Sequence, residues 1–329
     1  MSCIIHTKGL TKTYKRFEKE SGLLGSVKSL FNRKFVTKTA VRDFDLEIQE
    51  GEFVGLIGPN GAGKTTLVKM LTGIIAPTYG EISVLGYYPN KLENGLKTQY
   101  AIVMGQKSQL FFELTPADTF LLFKELYGLS DDEFKRNLTF FVEMFGVSDL
   151  LDVQVRTLSL GERMKMELIV ALLHNPKVLF LDEPTIGLDA TAQRQIRSFL
   201  QNVNKERGTT IILTSHYMED IISLCHRCVV INRGEKVYDG ELSILLNQFQ
   251  THKKITVNFE QPSDIELPHE ARIIENNPYK LSVMVSKSKA QDLMGMFMSR
   301  YSPADITAEE EDIGSVIERI YAYRKEETI

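Results

Sequence analysis

Residues 53–66 read FVGLIGPNGAGKTT, and this stretch restricts the fold more than any other. Phe53 to Ile57 is a short, largely apolar run of the kind that forms a buried strand. Gly58, Gly63, Lys64 and Thr65 then complete the pattern G-x-x-x-x-G-K-[ST]. Glycines let the backbone turn sharply, so that successive N–H groups converge into an anion-binding nest. A helix expected from about Lys64 to Leu71 would bring the positive end of its dipole to the same point. Lys64 supplies a full charge for β- and γ-phosphate oxygens, and Thr65 a hydroxyl for Mg²⁺. Pro59, Asn60, Gly61, Ala62 and Thr66 belong to the same predicted phosphate-binding loop.

A second apolar strand, Val178 to Leu181, ends in two carboxylates, Asp182 and Glu183. Two charges at a buried strand end are costly unless a cation or a reaction uses them. Downstream of a phosphate loop, Asp182 is the expected anchor for Mg²⁺ and Glu183 the expected base or water-orienting group. Further strands are expected at Cys3–Gly9, Val41–Ile48, Glu81–Leu85, Tyr100–Met104, Thr209–Thr214 and Val229–Ile231. Gln106 follows one of these strands, and His216 ends another, in reach of a γ-phosphate if the strands are neighbours. From Pro116 to about Leu151 the apolar spacing turns helical, which reads as an inserted helical subdomain. Ser159 stands where a helix N-cap is expected, and Asp189 lies in a short loop.

Residues 1 to about 249 resemble the nucleotide-binding subunit of ATP-binding cassette (ABC) transporters. Gly58 to Thr66 is similar to the Walker A loop, Gln106 to the Q-loop, Leu158 to Glu162 to the signature motif, and Leu179 to Glu183 to Walker B. Gly187, Leu188 and Asp189 resemble the D-loop, and His216 the switch histidine, in the family's order. The resemblance implies ATP and Mg²⁺ as cofactors, with Thr65, Gln106 and Asp182 around the metal. It implies that Lys64, Gln106, Glu183 and His216 serve hydrolysis, and that Asp189 belongs to the nucleotide site. It also implies a homodimer in which Ser159, Gly161 and Glu162 reach the other subunit's ATP. An aromatic residue stacks on adenine in the family; Tyr14 and Phe35 both fit, with Tyr14 preferred. The usual signature is Leu-Ser-Gly-Gly-Gln, and here Leu160 and Glu162 replace its third and fifth residues. The runs GQKSQLFFELTPADTF and SLGERMKMEL resemble ATPases of ABC-2-type exporters most.

The implied architecture is α/β: a P-loop NTPase core of ABC type with a β-subdomain and a helical subdomain at about 115–175, plus a small C-terminal α+β domain. A length of 329 residues suits two domains, expected at 1–249 and 250–329. In the second, strands are expected at Lys254–Phe259, Leu281–Val285 and Asp305–Thr307, with helices at Ala290–Met298 and Ile313–Tyr321. Met294, Met296 and Met298 are expected to fill core space.

Between Lys12 and Lys38 stand eight Lys or Arg and two Glu, although the chain as a whole carries a net charge of −4. Leu23, Leu24, Val27, Leu30 and Phe31 form one apolar stripe at helical spacing within this segment. The segment 15–38 is expected either to pack on its own domain or to meet an anionic membrane surface. No apolar run reaches the roughly 18 residues of a membrane span. MSCIIHTKGL has no basic-then-apolar pattern and is expected not to be a secretory signal. Three cysteines make no disulfide framework, Cys225-x-x-Cys228 lacks a second pair for zinc, and a reducing cytoplasmic compartment is expected. The expected function is ATP hydrolysis coupled to export through a separate integral membrane permease, on the cytoplasmic face of the membrane. No nucleic-acid partner is expected; the alternative reading is a soluble ABC-type ATPase acting on DNA or ribosomes.

Overall fold

The computed structural model describes residues 2–18, 34–105, 107–215, 217–261 and 271–311, with Gly314, Val316 and Arg319. The chain divides into two compact units, Met1–Gly240 and Glu241–Ile329.

Two long strands open the first unit. β1 (Cys3–Glu18) and β2 (Lys34–Gln49) pair antiparallel, from Cys3 opposite Gln49 to Glu18 opposite Lys34. β1 therefore continues well past Gly9, and β2 begins well before Val41. The reason is a set of register shifts between Thr7 and Thr13. Bulges of this kind bend a strand without ending it. The apolar stripe from Leu23 to Phe31 lies outside the described residues. β3 (Phe53–Ile57) leads into helix α1 (Lys64–Leu71). β4 (Tyr79–Val84) then pairs with β1 to complete a three-stranded antiparallel sheet, β2-β1-β4.

The second sheet holds the chemistry. It contains β3, β5 (Tyr100–Met104), β6 (Val178–Asp182), β7 (Thr210–Thr214), β8 (Arg227–Asn232) and β9 (Glu235–Glu241), in the order β5-β6-β7-β3-β8-β9. The pairs from β5 through β8 are all parallel. Every residue of β3 and β7 is buried, which is why these strands read as unbroken apolar runs. α1 packs against β2, β4 and β6. Its Leu67, Val68, Met70 and Leu71 share one core with Ile5, Leu10, Phe44 and Leu46 from the first sheet and Val54, Leu56 and Phe180 from the second.

Between β5 and β6 lie α2 (Pro116–Tyr127), α3 (Asp131–Phe145) and α4 (Leu160–Leu172). Each starts with a reciprocal capping box: Thr115 with Asp118, Ser130 with Glu133, Ser159 with Glu162. Left-handed Gly128 and Gly146 end α2 and α3, so the expected helical stretch is broken into separate pieces. α2 and α3 pack on α4, and the ring of Phe145 stacks on Phe199 at 3.7 Å. Phe199 belongs to α5 (Ala190–Arg207), which follows β6; α6 (Met218–Leu224) follows β7.

The second unit begins with α7 (Leu242–Phe249). Its sheet, ordered β11-β12-β10-β13, is antiparallel: β10 (His252–Asn258), β11 (Arg272–Asn277), β12 (Lys280–Ser286) and β13 (Asp305–Glu310). α8 (Lys287–Tyr301) places Ala290, Leu293 and Phe297 in one core with Ile255, Val257, Leu281 and Val283. Met294 and Met296 pack against that core, but Met298 is exposed, contrary to expectation. β11 was not expected, because RIIENN has no alternation and every residue in it is exposed. The expected helix Ile313–Tyr321 lies largely outside the described residues. Among the described residues, no helix is long and apolar enough to cross a membrane.

Candidate active site

Parallel strands direct their carboxyl ends to one edge of the sheet, where ligands bind in open α/β folds. Here that edge gathers Gly58 after β3, Asp182 and Glu183 at the end of β6, and Thr214 and Ser215 at the end of β7. The register places Asp182 beside Thr214, and Thr214 beside Leu56.

The loop from Gly58 to Gly63 is held by close approaches that exclude side chains. A Cβ on Gly58 would stand 2.3 Å from the Ile231 carbonyl oxygen. One on Gly63 would stand 2.4 Å from that of Ala40, and Gly63 also has φ of 114°. α1 begins directly after Gly63 with no side-chain hydrogen bond at its cap. Its first N–H groups therefore point into a cavity of about 270 Å³. Asn60 to Thr66, Glu183, Tyr14, Lys38 and Ala40 line this cavity. Lys64 is buried, and its Nζ donates to the carbonyls of Gly58 at 2.5 Å and Pro59 at 3.3 Å. Burial pulls the Lys64 pKa below its ordinary value; Glu183 and Asp182 pull it back up.

Thr65, which lines this cavity, also meets Asp182. Thr65 Oγ1 donates to Asp182 Oδ1 at 3.3 Å, and Thr214 Oγ1 donates to the same oxygen at 2.6 Å. Glu183 is half-buried and has φ of 57°, a left-handed conformation that costs a non-glycine residue about 1 kcal/mol. Its N–H is held by Thr214, by the carbonyl at 3.0 Å and by Oγ1 at 3.2 Å. Glu183 also lines a second, smaller cavity with Thr65, Lys69, Met104, Gly105, Lys107 and Asp182.

Of the two aromatic candidates, one lines the cavity. Tyr14 lines the cavity opposite its cross-strand partner Lys38, with Lys12 Nζ 5.4 Å from its ring centroid. Phe35 pairs with Phe17, further along the ribbon, and is not among the lining residues. Lys38 and Ala40 are cavity residues that the sequence did not point to. Their only signal is pairing across a ribbon whose strands are joined by residues 19–33.

The signature residues stand elsewhere. Ser159 N and Oγ donate to Glu162 Oε2 at 2.8 and 2.7 Å, and Glu162 N donates back to Ser159 Oγ at 3.3 Å. These bonds hold the Glu162 carboxyl below the usual carboxylate range. Leu160 is 45% exposed and lies against Gly187 of the next loop. Asp189 caps α5, accepting from Thr191 N at 2.8 Å and Ala192 N at 2.9 Å, which lowers its pKa. Ser159, Gly161, Glu162 and Asp189 do not line the cavity of their own chain. Gln106 and His216 lie outside the described residues; Gly105 and Ser215 beside them follow β5 and β7. Cys225 and Cys228 are buried thiols with pKa values pushed up by burial, that of Cys228 to about 12.

A parallel sheet with a glycine loop, an uncapped helix and two carboxylates at its edge defines a P-loop nucleotide hydrolase. The family described as "ABC transporter" matches residues 41–186. The ABC transporter ATP-binding protein NatA of Bacillus subtilis (strain 168) is 36% identical over 214 residues, 65% of this chain and 86% of that protein. Nod factor export ATP-binding protein I of Burkholderia thailandensis is 37% identical over 63% of this chain and 68% of its own length. A solved dimeric ATP-binding cassette in a post-hydrolysis state with ADP and Pi superposes with TM-score 0.58 and 25% identity, over 72% of this chain and 98% of that one. The chain belongs to the ATP-binding proteins of ABC transporters, and it is an ATPase.

Proposed function

We propose that this chain is the ATP-hydrolysing subunit of an exporter, working as a homodimer on the cytoplasmic face of a membrane beneath a separate permease. The observation that carries the reading is the junction of Thr65, Asp182, Thr214 and Glu183, two of which, Thr65 and Glu183, line the cavity with the glycine loop. Residues 1–249 form the ATPase domain in this reading, and 250–329 an accessory domain.

Lys64 and the first N–H groups of α1 bind the phosphates and absorb charge on the transferring phosphoryl group. Tyr14 stacks on the adenine. Glu183 orients the attacking water and takes its proton; Gln106 and His216 serve the same step by their resemblance to the Q-loop and the switch histidine. Thr65 and Asp182 offer hard oxygens 3.3 Å apart, a sparse set that suits Mg²⁺, which keeps waters and phosphate oxygens in its shell. When bound, that ion neutralises charge on the β- and γ-phosphates. Ser159 and Gly161 meet the nucleotide of the second copy.

Export and a membrane partner are supported by the Nod factor export relative. They are also supported by an exposed apolar group on the inserted helical segment: Phe111, Phe112, Leu114, Leu121, Leu122 and Leu126.

The test is Glu183→Gln, expressed in cells that are then fractionated. Turnover is expected to fall by about 100-fold or more, with ATP binding kept, a closed dimer accumulating and the chain in the membrane fraction. Normal turnover removes Glu183 from its role. Fractionation with ribosomes or DNA instead of membranes overturns the exporter reading.

A further inference from the structure

A fully buried carboxylate belongs to none of the motifs and bonds to residues near Glu183 and His216 in the chain. Asp220, in α6, is completely buried. Three donors converge on it: the Thr185 hydroxyl at 2.5 Å, the Ser215 hydroxyl at 2.7 Å and Arg197 Nε at 2.6 Å. The Arg197 fork is completed by Glu219 at 3.2 Å and the Gln193 side-chain oxygen at 3.2 Å. A carboxylate taken out of water requires such compensation. Asp220 therefore sits where its geometry is fully determined by its partners.

Those partners come from three different elements. Thr185 is two residues beyond Glu183, in the loop after β6. Ser215 directly precedes His216, at the end of β7, and its Oγ accepts from Tyr217 N at 3.0 Å. Arg197 lies in α5, two turns beyond the helix cap Asp189. Thr185 and Ser215 are themselves buried. The left-handed backbone at Glu183 is the kind that persists only where its surroundings restrain it from both sides. Thr214 restrains the N–H side, and the Thr185–Asp220 bond anchors the chain on the other.

We propose that Asp220 is a positioning residue for hydrolysis. It locks the loop carrying Glu183, the segment leading to His216 and the helix headed by Asp189 into one register, through Thr185, Ser215 and Arg197. The assignment rests on the reading of Glu183 as the group that orients water. A displacement of about 1 Å at such a group costs on the order of 100-fold in rate, so loss of one hydroxyl tie acts on kcat and spares nucleotide affinity.

The test uses the purified full chain with ATP and Mg²⁺. Thr185→Val and Ser215→Ala each remove one donor and leave the Asp220–Arg197 pair; Asp220→Asn removes the charge; Thr185→Ser restores a hydroxyl. The two single-donor variants are expected to lose roughly tenfold in kcat, with the Kd for ADP within about twofold of the parent. Thr185→Ser is expected to recover most of the rate. Thermal melts confirm that the variants are folded at the assay temperature, so the conclusion stands even if Asp220→Asn is not. Parent kcat in both single-donor variants overturns the proposal. So does a loss of kcat matched by an equal loss of ADP affinity, or a Thr185→Ser variant no faster than Thr185→Val. Glu183→Gln, measured in parallel, separates the two ideas: normal turnover there sinks the reading of Glu183 whatever the Asp220 series shows.

Discussion

Two helix N-termini in this chain are proposed to meet phosphate, and they are built in opposite ways. α1 starts after left-handed Gly63, with no side chain bonded at its cap. α4 starts after Ser159, with both Ser159 donors and the Glu162 N–H closed into a capping box. Unsatisfied N–H groups at the first helix are stabilised by an arriving anion. At the second, the N–H groups of Ser159 and Glu162 are already bonded within the capping box, and an ionised carboxylate stands beside the helix start. The difference implies an order of events. Under the proposed function, nucleotide would bind first at α1 of its own chain, and α4 of the partner would join only when closure compensates for what its capping box gives up.

The largest expected effect breaks this comparison most directly. Lys64→Ala should weaken ATP binding by the isolated chain about 100-fold, since it deletes a buried charge-assisted contact to the phosphates. Ser159→Ala should leave that binding within roughly twofold, while costing about 1 kcal/mol of helix stability. Calorimetry at concentrations where the chain is monomeric reads both. Equal losses in the two variants would mean that both helix ends serve the same nucleotide.

Legibility in the sequence follows the same division. The glycine loop was readable because its residues are contiguous and its pattern is a direct consequence of phosphate chemistry. Asp182 and Glu183 were readable because charges at the end of an apolar strand are anomalous on local grounds. The fold class came with the resemblance of the ordered motifs to ABC ATPases, and short apolar runs such as Val178–Leu181 supplied individual buried strands. What stayed hidden was set by distant partners. Lys38 reaches the cavity only because β1 and β2 pair beyond Thr13. Asp220 reads as an ordinary acidic residue in a helix until Thr185, Arg197 and Ser215 fold around it. Glu167 reads as a solvent-facing glutamate, yet it is buried and accepts from the Ser108 hydroxyl and from Gln109 N at 2.9 Å. Exposed β11 carried no periodic signal at all.

A second prediction concerns how α4 is anchored at its far end. His174 follows that helix, stacks on Tyr127 at 3.8 Å and lies 3.2 Å from the Tyr100 carbonyl through Nε2. Its Nδ1 is buried with no hydrogen-bond partner. Burial lowers the His174 pKa to about 4. The folded state therefore holds the neutral ring, and the unfolded state takes the proton first. Stability is complete above the unfolded value of about 6.5 and declines as pH falls towards 4. Between pH 7.5 and 5 the decline attributable to this ring is roughly 2 kcal/mol. Urea unfolding of the parent and of His174→Phe at both pH values measures it. A parent whose stability changes no more than that of the variant would show that the ring is solvated in the folded chain.

The smallest expected effect bears on Glu162, where this chain departs from the usual signature. The carboxylate keeps the helix cap closed, and its lowered pKa keeps it charged at neutral pH. A γ-phosphate approaching Ser159 would meet that charge at close range. Glu162→Gln retains an oxygen to accept from Ser159 and removes only the charge. In a Glu183→Gln background, where hydrolysis does not dissipate the complex, ATP-dependent dimerisation should tighten by about threefold to tenfold at low salt. The gain should shrink as ionic strength rises, because exposed charges about a Debye length apart are screened. Glu162→Ala separates charge from capping: it also removes the repulsion, but it loses the box and about 1 kcal/mol with it. Sedimentation velocity with ATP and Mg²⁺ reads all three chains. If Glu162→Gln dimerises more weakly than the parent at every salt concentration, the carboxylate contributes to the closed dimer directly. The closed cap of α4 would then be part of the nucleotide sandwich, and the contrast between the two helix ends would lose its meaning.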